Sequence, residues 1–199
     1  NKEKAEVFHI ANDPVNGRTR VKDGKYISVS MDGKREFGDA SAPEENGDSF
    51  QANAIIKARA YGEHFGVACV ADDSGLVVDA LNGAPGIYSA RYAGEGATDL
   101  DNNAKLLATL ASVPADQRTA RFECCCALLV PGTVPHVELG AVEGRIACET
   151  SGAHGFGYDP LFIPNGHEKS FGELGAEIKS AISHRANAFK KLRSYLMQA

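Results

Sequence analysis

The sequence predicts a mixed α/β fold in which helices flank a long twisted β-sheet. Three observations support this class: strand-like apolar runs alternate with segments of helical periodicity, hairpin signals lie near the N-terminal end, and 199 residues can bury a substantial core. The apolar fraction of 43% and the charged fraction of 24% are typical of globular domains, which disfavours a disordered or fibrous chain. We expect residues 1–199 to form a single domain.

The first part of the chain carries a hairpin pattern. Residues 18–37 alternate between polar and apolar types and contain the turn-forming pairs Asp23-Gly24 and Asp32-Gly33. This pattern predicts a two- or three-stranded antiparallel segment.

A helix and a short buried strand are predicted next. Asp48 or Ser49 can cap the helix, and five apolar residues share one of its faces: Phe50, Ala54, Ile55, Ala58 and Tyr61. The apolar run at 67–70 predicts a strand, which we expect to end in a turn at Asp72-Asp73-Ser74-Gly75.

The second half of the chain predicts two further helices and a pair of strands. Thr98 followed by Asp101 resembles a capping box for a helix that carries Leu106, Leu107 and Leu110 inward. Strand-like runs at 120–130 and 137–146 are separated by a Pro-Gly turn and are expected to pair. The last helix is predicted from about 180 to 196, with these residues facing inward: Ile182, Ala186, Phe189, Leu192 and Leu196.

Charge and cysteine content narrow the range of partners. A formal net charge of −5 disfavours a polymeric nucleic acid as partner, although a few placed lysines could still bind a small anion. No apolar run approaches the roughly 20 residues of a spanning helix, and the N-terminus has no signal-peptide core, so we expect a soluble, cytoplasmic protein without a membrane partner. The five cysteines form no C-x-x-C pair and are expected to be reduced and buried.

Two acidic segments are candidates for metal-dependent chemistry. Asp72 and Asp73 follow a buried strand, where adjacent carboxylates need hydrogen bonds, a cation or a metal; the alternative is a turn in which one carboxylate caps backbone amides. Glu45, in Glu44-Glu45-Asn46-Gly47, could join Asp73 in binding a metal that also contacts phosphate oxygens. The alternative for this pair is a solvated surface loop.

Two later segments are candidates for binding a base. Gly155-Phe156-Gly157-Tyr158-Asp159-Pro160 combines close backbone approach, a stacking ring and a carboxylate, or else forms a Gly-rich turn with Phe156 in the core. Lys179 and Ser183-His184-Arg185 lie near the predicted start of the last helix. Free amides and cationic side chains there suit a phosphate or a carbonyl-bearing base, and the alternative is a set of solvated charges.

These segments occur together, in the order and with much of the spacing of a known family. The sequence resembles the inosine triphosphate pyrophosphatase family over nearly its whole length. The resemblance depends most on four strings: Ala71-Asp72-Asp73-Ser74-Gly75-Leu76, Gly83-Ala84-Pro85-Gly86-Ile87-Tyr88-Ser89-Ala90-Arg91-Tyr92, Gly155-Phe156-Gly157-Tyr158-Asp159-Pro160 and Lys179-Ser180-Ala181-Ile182-Ser183-His184-Arg185.

The resemblance implies an elongated mixed sheet whose helices form two lobes around a nucleotide cleft. It implies that Asp73 is the general base, with Asp72 beside it as the alternative proton acceptor, and that Glu45 and Asp73 bind Mg²⁺. The other implied contacts are to substrate: Asn1, Lys4 and Lys57 to the phosphates, Ser74 to the nucleotide, Phe156, Gly157, Tyr158 and Asp159 to base and sugar, and Lys179, Ser183, His184 and Arg185 to the purine. The family also begins with an apolar strand that would precede Asn1, and we expect that strand to have been trimmed.

The implied reaction is hydrolysis of a non-standard purine nucleoside triphosphate such as ITP, dITP or XTP to a monophosphate and pyrophosphate, by a homodimer. Magnesium and the two carboxylates would support attack of water at the α-phosphorus. Two alternatives are a Maf-like pyrophosphatase with another base preference and a nucleotide-binding protein without turnover. Phe156 and the segment 183–185 speak against the Maf-like alternative.

Overall fold

A computed structural model describes the backbone of residues 7–10, 19–22, 25–29 and 36–198, and the side chains of residues 42–198. Within these residues the chain forms eight strands and four helices. In chain order they are β1 (Val7–Ile10), β2 (Thr19–Lys22), β3 (Lys25–Val29), β4 (Glu36–Ser41), α1 (Phe50–Phe65), β5 (Ala68–Val78), α2 (Asp99–Thr109), β6 (Thr119–Leu129), β7 (His136–Ile146), β8 (Phe162–Pro164), α3 (Phe171–Ile182) and α4 (His184–Gln198).

The strands form two sheets. The larger has the order β1-β5-β6-β7-β8, with β1 parallel to β5 and β7 antiparallel to β8. The smaller has the order β2-β3-β4 with antiparallel pairing, which confirms the hairpin segment predicted at 18–37. Its two Asp-Gly pairs lie outside the described residues. The parallel and antiparallel pairs together confirm the mixed α/β class.

The chain divides into two compact units. The first unit runs to Asp73 and includes Cys125–Glu138, and the second comprises Ser74–Cys124 and the chain from Leu139. Small residues fill a core cluster of the first unit: Ala54, Ala58, Ala71, Cys125, Ala127 and Leu129. The core of the second unit is larger and aromatic, with Phe122 and Phe162 ring centroids 4.7 Å apart and Phe162 stacked on Phe171 at 5.5 Å.

Helices α1 and α2 begin where their capping residues predict. The Ser49 side chain accepts a hydrogen bond from the Ala52 amide, which caps α1. Thr98 and Asp101 form a reciprocal capping box at the start of α2, whose Leu106 and Leu110 are fully buried. The predicted strands at 120–130 and 137–146 are β6 and β7, which are neighbours in the larger sheet. All of these predictions are confirmed.

The predicted turn at 72–75 is wrong. Strand β5 continues through Asp72-Asp73-Ser74-Gly75 and ends at Val78. The physical reason is that Leu76, Val77 and Val78 are buried, so the apolar run resumes after the polar segment. The two aspartates therefore lie inside a long strand, where adjacent side chains point to opposite faces of the sheet.

The predicted last helix is also wrong in its start and in its buried face. Ser183 has an extended backbone (φ −63°, ψ 158°) and separates α3, which the sequence analysis missed, from α4, which begins at His184. This break changes the phase of the helix, so the buried residues of α4 are His184, Ala188 and Leu192. Of the predicted inward positions, Leu192 alone is fully buried, whereas Leu196 is exposed.

No helix in the described part of the chain is both long and apolar enough to span a bilayer.

Candidate functional site

An ion cluster in the first unit brings three of the predicted site residues together. The Lys57 ammonium donates hydrogen bonds to Glu45 Oε2 at 2.9 Å and to Asp73 Oδ1 at 2.8 Å. The lysine side chain is 4% exposed, Asp73 14% and Glu45 26%. Since both carboxylates contact one nitrogen, their oxygens are no further apart than the sum of these two distances. The predicted proximity of Glu45 and Asp73 is therefore present.

Burial and neighbouring charges shift the pKa values of Lys57 and Asp73. Burial raises the pKa of Asp73, and the negative charge of Glu45 raises it further, against the lowering effect of Lys57. Burial would lower the pKa of Lys57, yet the charges and hydrogen bonds of the two carboxylates raise it overall. The two carboxylates therefore hold the lysine in its charged form, while burial, with a smaller contribution from Glu45, favours protonation of Asp73.

Asn53 connects the two sides of the ion cluster. Its side-chain amide donates to Asp73 Oδ2 at 3.3 Å, and its carbonyl oxygen accepts from the Gly47 amide at 2.9 Å. Asn53 and Lys57 are four residues apart on α1, so they share one face of the helix. A Cβ atom at Gly47 would lie 2.6 Å from Asn53 Oδ1, which explains the glycine. The loop that bears Glu45 is thereby fixed against α1.

The donor set of the ion cluster fits a divalent cation. Mg²⁺ sites on nucleotides commonly use one or two protein carboxylates, with phosphate oxygens and water completing the octahedron. Glu45 and Asp73 supply two such carboxylates. Among the described residues no group of three His, Cys, Asp or Glu side chains is arranged as a metal site. A metal held by these two carboxylates would have coordination positions left for phosphate oxygens and water.

Asp72 differs from Asp73 in its surroundings. It is 2% exposed, and in β5 its side chain points to the opposite face of the strand from that of Asp73. Its charge contributes, after burial itself, to raising the pKa of Cys126 to about 12. Asp72 therefore lies in the interior, whereas Asp73 and Glu45 both retain partial exposure.

A second group of predicted residues forms around an aromatic ring in the second unit. The Lys179 ammonium lies 4.1 Å from the centroid of the half-buried Phe156 ring and also hydrogen-bonds Asp159 Oδ2. The same carboxylate oxygen accepts from the Phe156 amide at 2.9 Å. Asp159 is 2% exposed, so its carboxylate holds the Phe156 backbone and the Lys179 side chain from the interior of the unit. The ring is not inserted in the core, contrary to the alternative weighed for this segment.

A polar pair in the second unit joins two more predicted residues. Arg185 Nη2, in the first turn of α4, donates to Ser74 Oγ at 3.1 Å. Both side chains are partly buried. The structure thus brings Ser74 and Arg185 together within the second unit.

Three predicted residues lie in the interior. Tyr158 belongs to the core of the second unit, and its hydroxyl donates to Ser89 O at 2.8 Å. His184 is 6% exposed and stacks on Phe122 with centroids 4.9 Å apart. Ser183 accepts from the Ala186 amide at 3.2 Å and so caps α4. Asn1 and Lys4 lie outside the described residues, and their predicted phosphate contacts stay predictions.

Sequence reasoning missed three polar residues that hold predicted site residues within the two units. Asn53 is one, and Asp99 and Asn103 on α2 are two more, because both hydrogen-bond the backbone of Gly157. One sequence signal could have identified Asn53: it is a polar residue among the buried positions of α1, which include Ala54 and Ala58. A buried Asn needs partners, and periodicity alone does not show which ones.

Comparison with known proteins identifies a family and several similar proteins. Residues 1–195 match the Ham1 family. A dITP/XTP pyrophosphatase of Desulforamulus reducens is 51% identical over 81% of this chain and 80% of its own length, and one of Bacillus subtilis is 47% identical over 81% of each. The Ham1 protein of Staphylococcus aureus superposes with a TM-score of 0.74 at 44% identity, over 78% of this chain and 80% of that one.

The sequence matches cover 81% of the chain and the structural match covers 78%, at identities of 44–51%, well above those at which only a fold is shared. They confirm the resemblance that the four sequence strings predicted. With its paired carboxylates on Lys57 and its Phe156 ring beneath Lys179, this chain belongs to the Ham1 family.

Proposed function

We propose that this protein hydrolyses non-standard purine nucleoside triphosphates, namely ITP, dITP and XTP, to the nucleoside monophosphate and pyrophosphate. The observation that carries the proposal is the pair of carboxylates on one buried ammonium, in a chain about half identical to proteins named dITP/XTP pyrophosphatase. Those names favour this activity over a Maf-like specificity and over binding without turnover.

Asp73 is the proposed general base. A carboxylate is a weak base at its usual pKa, and raising that pKa toward the working pH makes proton abstraction more effective. Burial and Glu45 raise the pKa of Asp73 in this way. Asp73 also keeps 14% of its side chain exposed, so a water molecule can reach it. Asp72, at 2% exposure, is less suited to meet that water.

Glu45 and Asp73 are the proposed carboxylate ligands of Mg²⁺, and Lys57 and Asn53 hold them in place. Bound Mg²⁺ would supply neutralisation of charge on the phosphates. Lys57 keeps its positive charge in this environment and stays bonded to both carboxylates. Asn53 restricts the rotation of Asp73, which keeps one carboxylate oxygen directed toward α1.

Phe156, Lys179 and Arg185 are the proposed contacts to the purine. The Phe156 ring offers a stacking face, and stacking of a base on an aromatic side chain contributes about 1–3 kcal/mol. Hypoxanthine and xanthine carry a 6-carbonyl that accepts from a cationic donor, whereas adenine presents an amino group there. A buried donor left unpaired costs about 1–3 kcal/mol, which gives roughly 10- to 100-fold selectivity against adenine per contact. Guanine also carries a 6-carbonyl, so slower cleavage of GTP is expected from the names of the relatives and not from this contact.

We further propose that the protein is a cytoplasmic homodimer that requires no polymeric nucleic acid or membrane partner. This proposal is supported only by the family to which the chain belongs and by its net charge of −5. Sedimentation at working concentration tests the oligomeric state, and a monomer would contradict it.

A substrate panel tests the activity. We expect Mg²⁺-dependent release of pyrophosphate from ITP, dITP and XTP, with ATP and GTP cleaved more slowly, and loss of all turnover in excess EDTA. Equal rates on all five nucleotides would refute the specificity. Release of single phosphates in place of pyrophosphate would refute the position of attack.

Asp73→Asn tests the role of the base, and Asp79→Asn is its matched control. Asp73 lies in β5, and Asp79 directly follows that strand. Unlike Asp73, Asp79 is exposed, and it pairs with Arg121 on the surface. We expect Asp73→Asn to lose at least about 100-fold in kcat, the lower range for a general base, while Asp79→Asn stays near wild type. A near-normal kcat in Asp73→Asn would place the base elsewhere.

A further inference from the structure

Helix α2 holds both peptide groups of Gly157, the residue that follows the Phe156 ring. The Asn103 side-chain amide donates to Gly157 O at 2.8 Å, and Asp99 Oδ2 accepts from Gly157 N at 2.7 Å. Gly157 has φ of +58°, a conformation that glycine adopts without strain. Its backbone is thus fixed at two points by one helix.

The spacing of Asp99 and Asn103 along α2 explains why both side chains reach Gly157. We call this pair of side chains the clamp. Asp99 and Asn103 are four residues apart, so they lie on one face of α2, one turn apart. The amide orientation of Asn103 is also determined, because the reverse orientation would place its oxygen against the Gly157 carbonyl oxygen. Asn103 is 3% exposed, so water does not substitute for this bond.

The helix that carries the clamp is itself rigidly placed. The Thr98–Asp101 capping box fixes its first turn, and Leu106 and Leu110 are fully buried in the core. At the other end, Arg118 Nη2 donates to Leu110 O at 2.8 Å. A side chain mounted on such a helix holds its partner more accurately than one on a loop.

The backbone around the Phe156 ring therefore has three fixed points. Asp159 accepts from the Phe156 amide, and Asp99 and Asn103 hold the next residue. The remaining freedom of the ring is rotation about its own side-chain bonds, and Lys179 lies over one face. The ring is thereby held at one position.

We propose that Asp99 and Asn103 are positioning residues that set the Phe156 ring for stacking on the purine. This inference depends on the proposed function, since it assigns the ring to the base of the nucleotide. Asp99 and Asn103 would not contact the substrate; they would act through the backbone of Gly157. They therefore determine how tightly the base is bound, and leave the ion cluster around Asp73 unaffected.

Asn103→Asp tests the clamp, and Asn102→Asp is a matched control. The two asparagines are neighbours on α2 with 3% and 2% exposure, but Asn102 bonds Ala90 O and Ala93 N in place of Gly157. Each change keeps the shape and removes one donor. We expect Asn103→Asp to raise KM for ITP about tenfold with kcat within about twofold, the change that follows when a bond is lost from base binding alone.

The control separates positioning from general loss of stability. Asn102→Asp should lower Tm by a similar amount and leave KM within about twofold of wild type. A rise in KM of equal size in both variants would overturn the inference, because it would then follow from destabilisation of α2.

Asp99 provides a second pair of variants in case a buried aspartate at 103 prevents folding. Asp99 is exposed, so its replacement leaves the core intact. Asp99→Ala removes the acceptor for the Gly157 amide and should raise KM for ITP about fivefold or more, whereas Asp99→Asn keeps an acceptor oxygen and should restore most of the affinity. Unchanged KM in Asp99→Ala would overturn the inference. If the wild type released no pyrophosphate from ITP, dITP or XTP, the proposed function would fail, and this inference with it.

Discussion

Replacing Lys57 by methionine tests the charge balance of the ion cluster directly. Methionine keeps the length and the apolar stem of the side chain but removes the ammonium that Glu45 and Asp73 share at 2.9 and 2.8 Å. Both carboxylates would then lose the cation that compensates their partial burial.

The expected cost follows from that burial. Removing one partner of a buried ion pair costs about 3–5 kcal/mol, because the remaining charge is left uncompensated. Here the lower end applies, since 26% of the Glu45 side chain reaches solvent. We expect a loss of about 3 kcal/mol at pH 7, which for a chain of this size lowers Tm by roughly 6–12 °C.

The pH dependence distinguishes charge from packing. Loss of Lys57 removes a neighbour that lowers the pKa of Asp73, so that pKa rises further above its usual value of 3.8. A carboxylate whose pKa is higher in the folded than in the unfolded state destabilises the fold above that folded pKa. The penalty disappears as the pH falls below the unfolded pKa. The difference in unfolding free energy between Lys57→Met and wild type should therefore shrink between pH 7 and about pH 4.

Urea unfolding at several pH values measures this difference. Lys190→Met is the control, because Lys190 is an exposed lysine on α4 that bonds only a backbone carbonyl, Ala181 O, among its described contacts. We expect that variant to stay within about 0.5 kcal/mol of wild type at every pH. A loss in Lys57→Met that is independent of pH would mean that the lysine acts by packing, and the electrostatic reasoning would be refuted.

Three other predictions follow from the second unit and from the cysteines. Phe156→Ala should raise KM for ITP by at least about fivefold through lost stacking while kcat changes little, and an unchanged KM would move the base elsewhere. A thiol reagent at pH 8 should modify only Cys148 in the native protein, since burial raises the pKa of the interior thiol of Cys69 to about 12; a second reactive thiol before unfolding would contradict this. Gly140→Ala should lower the free energy of unfolding by about 1–3 kcal/mol in urea titrations, because its Cβ would lie 2.2 Å from Ala188 N; a neutral effect would contradict the close approach of α4 to β7.

Features that depend on a few neighbouring residues could be predicted from the sequence. The caps at Ser49 and Thr98 are examples, because each is satisfied within its own first helical turn. The two main errors concern features that depend on residues further along the chain. The turn expected at 72–75 failed because burial of residues 76–78 extends the strand, and the last helix failed because the break at Ser183 shifts its phase.

The candidate site was predictable only in part for the same reason. Glu45 and Asp73 could be paired through the resemblance, but their shared partner Lys57 depends on how α1 packs against β5. The roles of Asp99 and Asn103 depend on contacts 58 and 54 residues away along the chain. No periodicity in α2 marks these two residues, because their partners are backbone atoms of Gly157.

The difference between the two adjacent aspartates follows from strand geometry. Had the chain turned at these residues, Asp72 and Asp73 could have reached the same ion, and neither would be favoured as the base. In a continuous β5 they point to opposite faces, so one lies in the interior at 2% exposure and the other meets Lys57, Asn53 and Glu45. Asp73 combines a raised pKa, a second carboxylate nearby and partial exposure, and for this reason we propose Asp73 for the proton transfer and a structural role for Asp72.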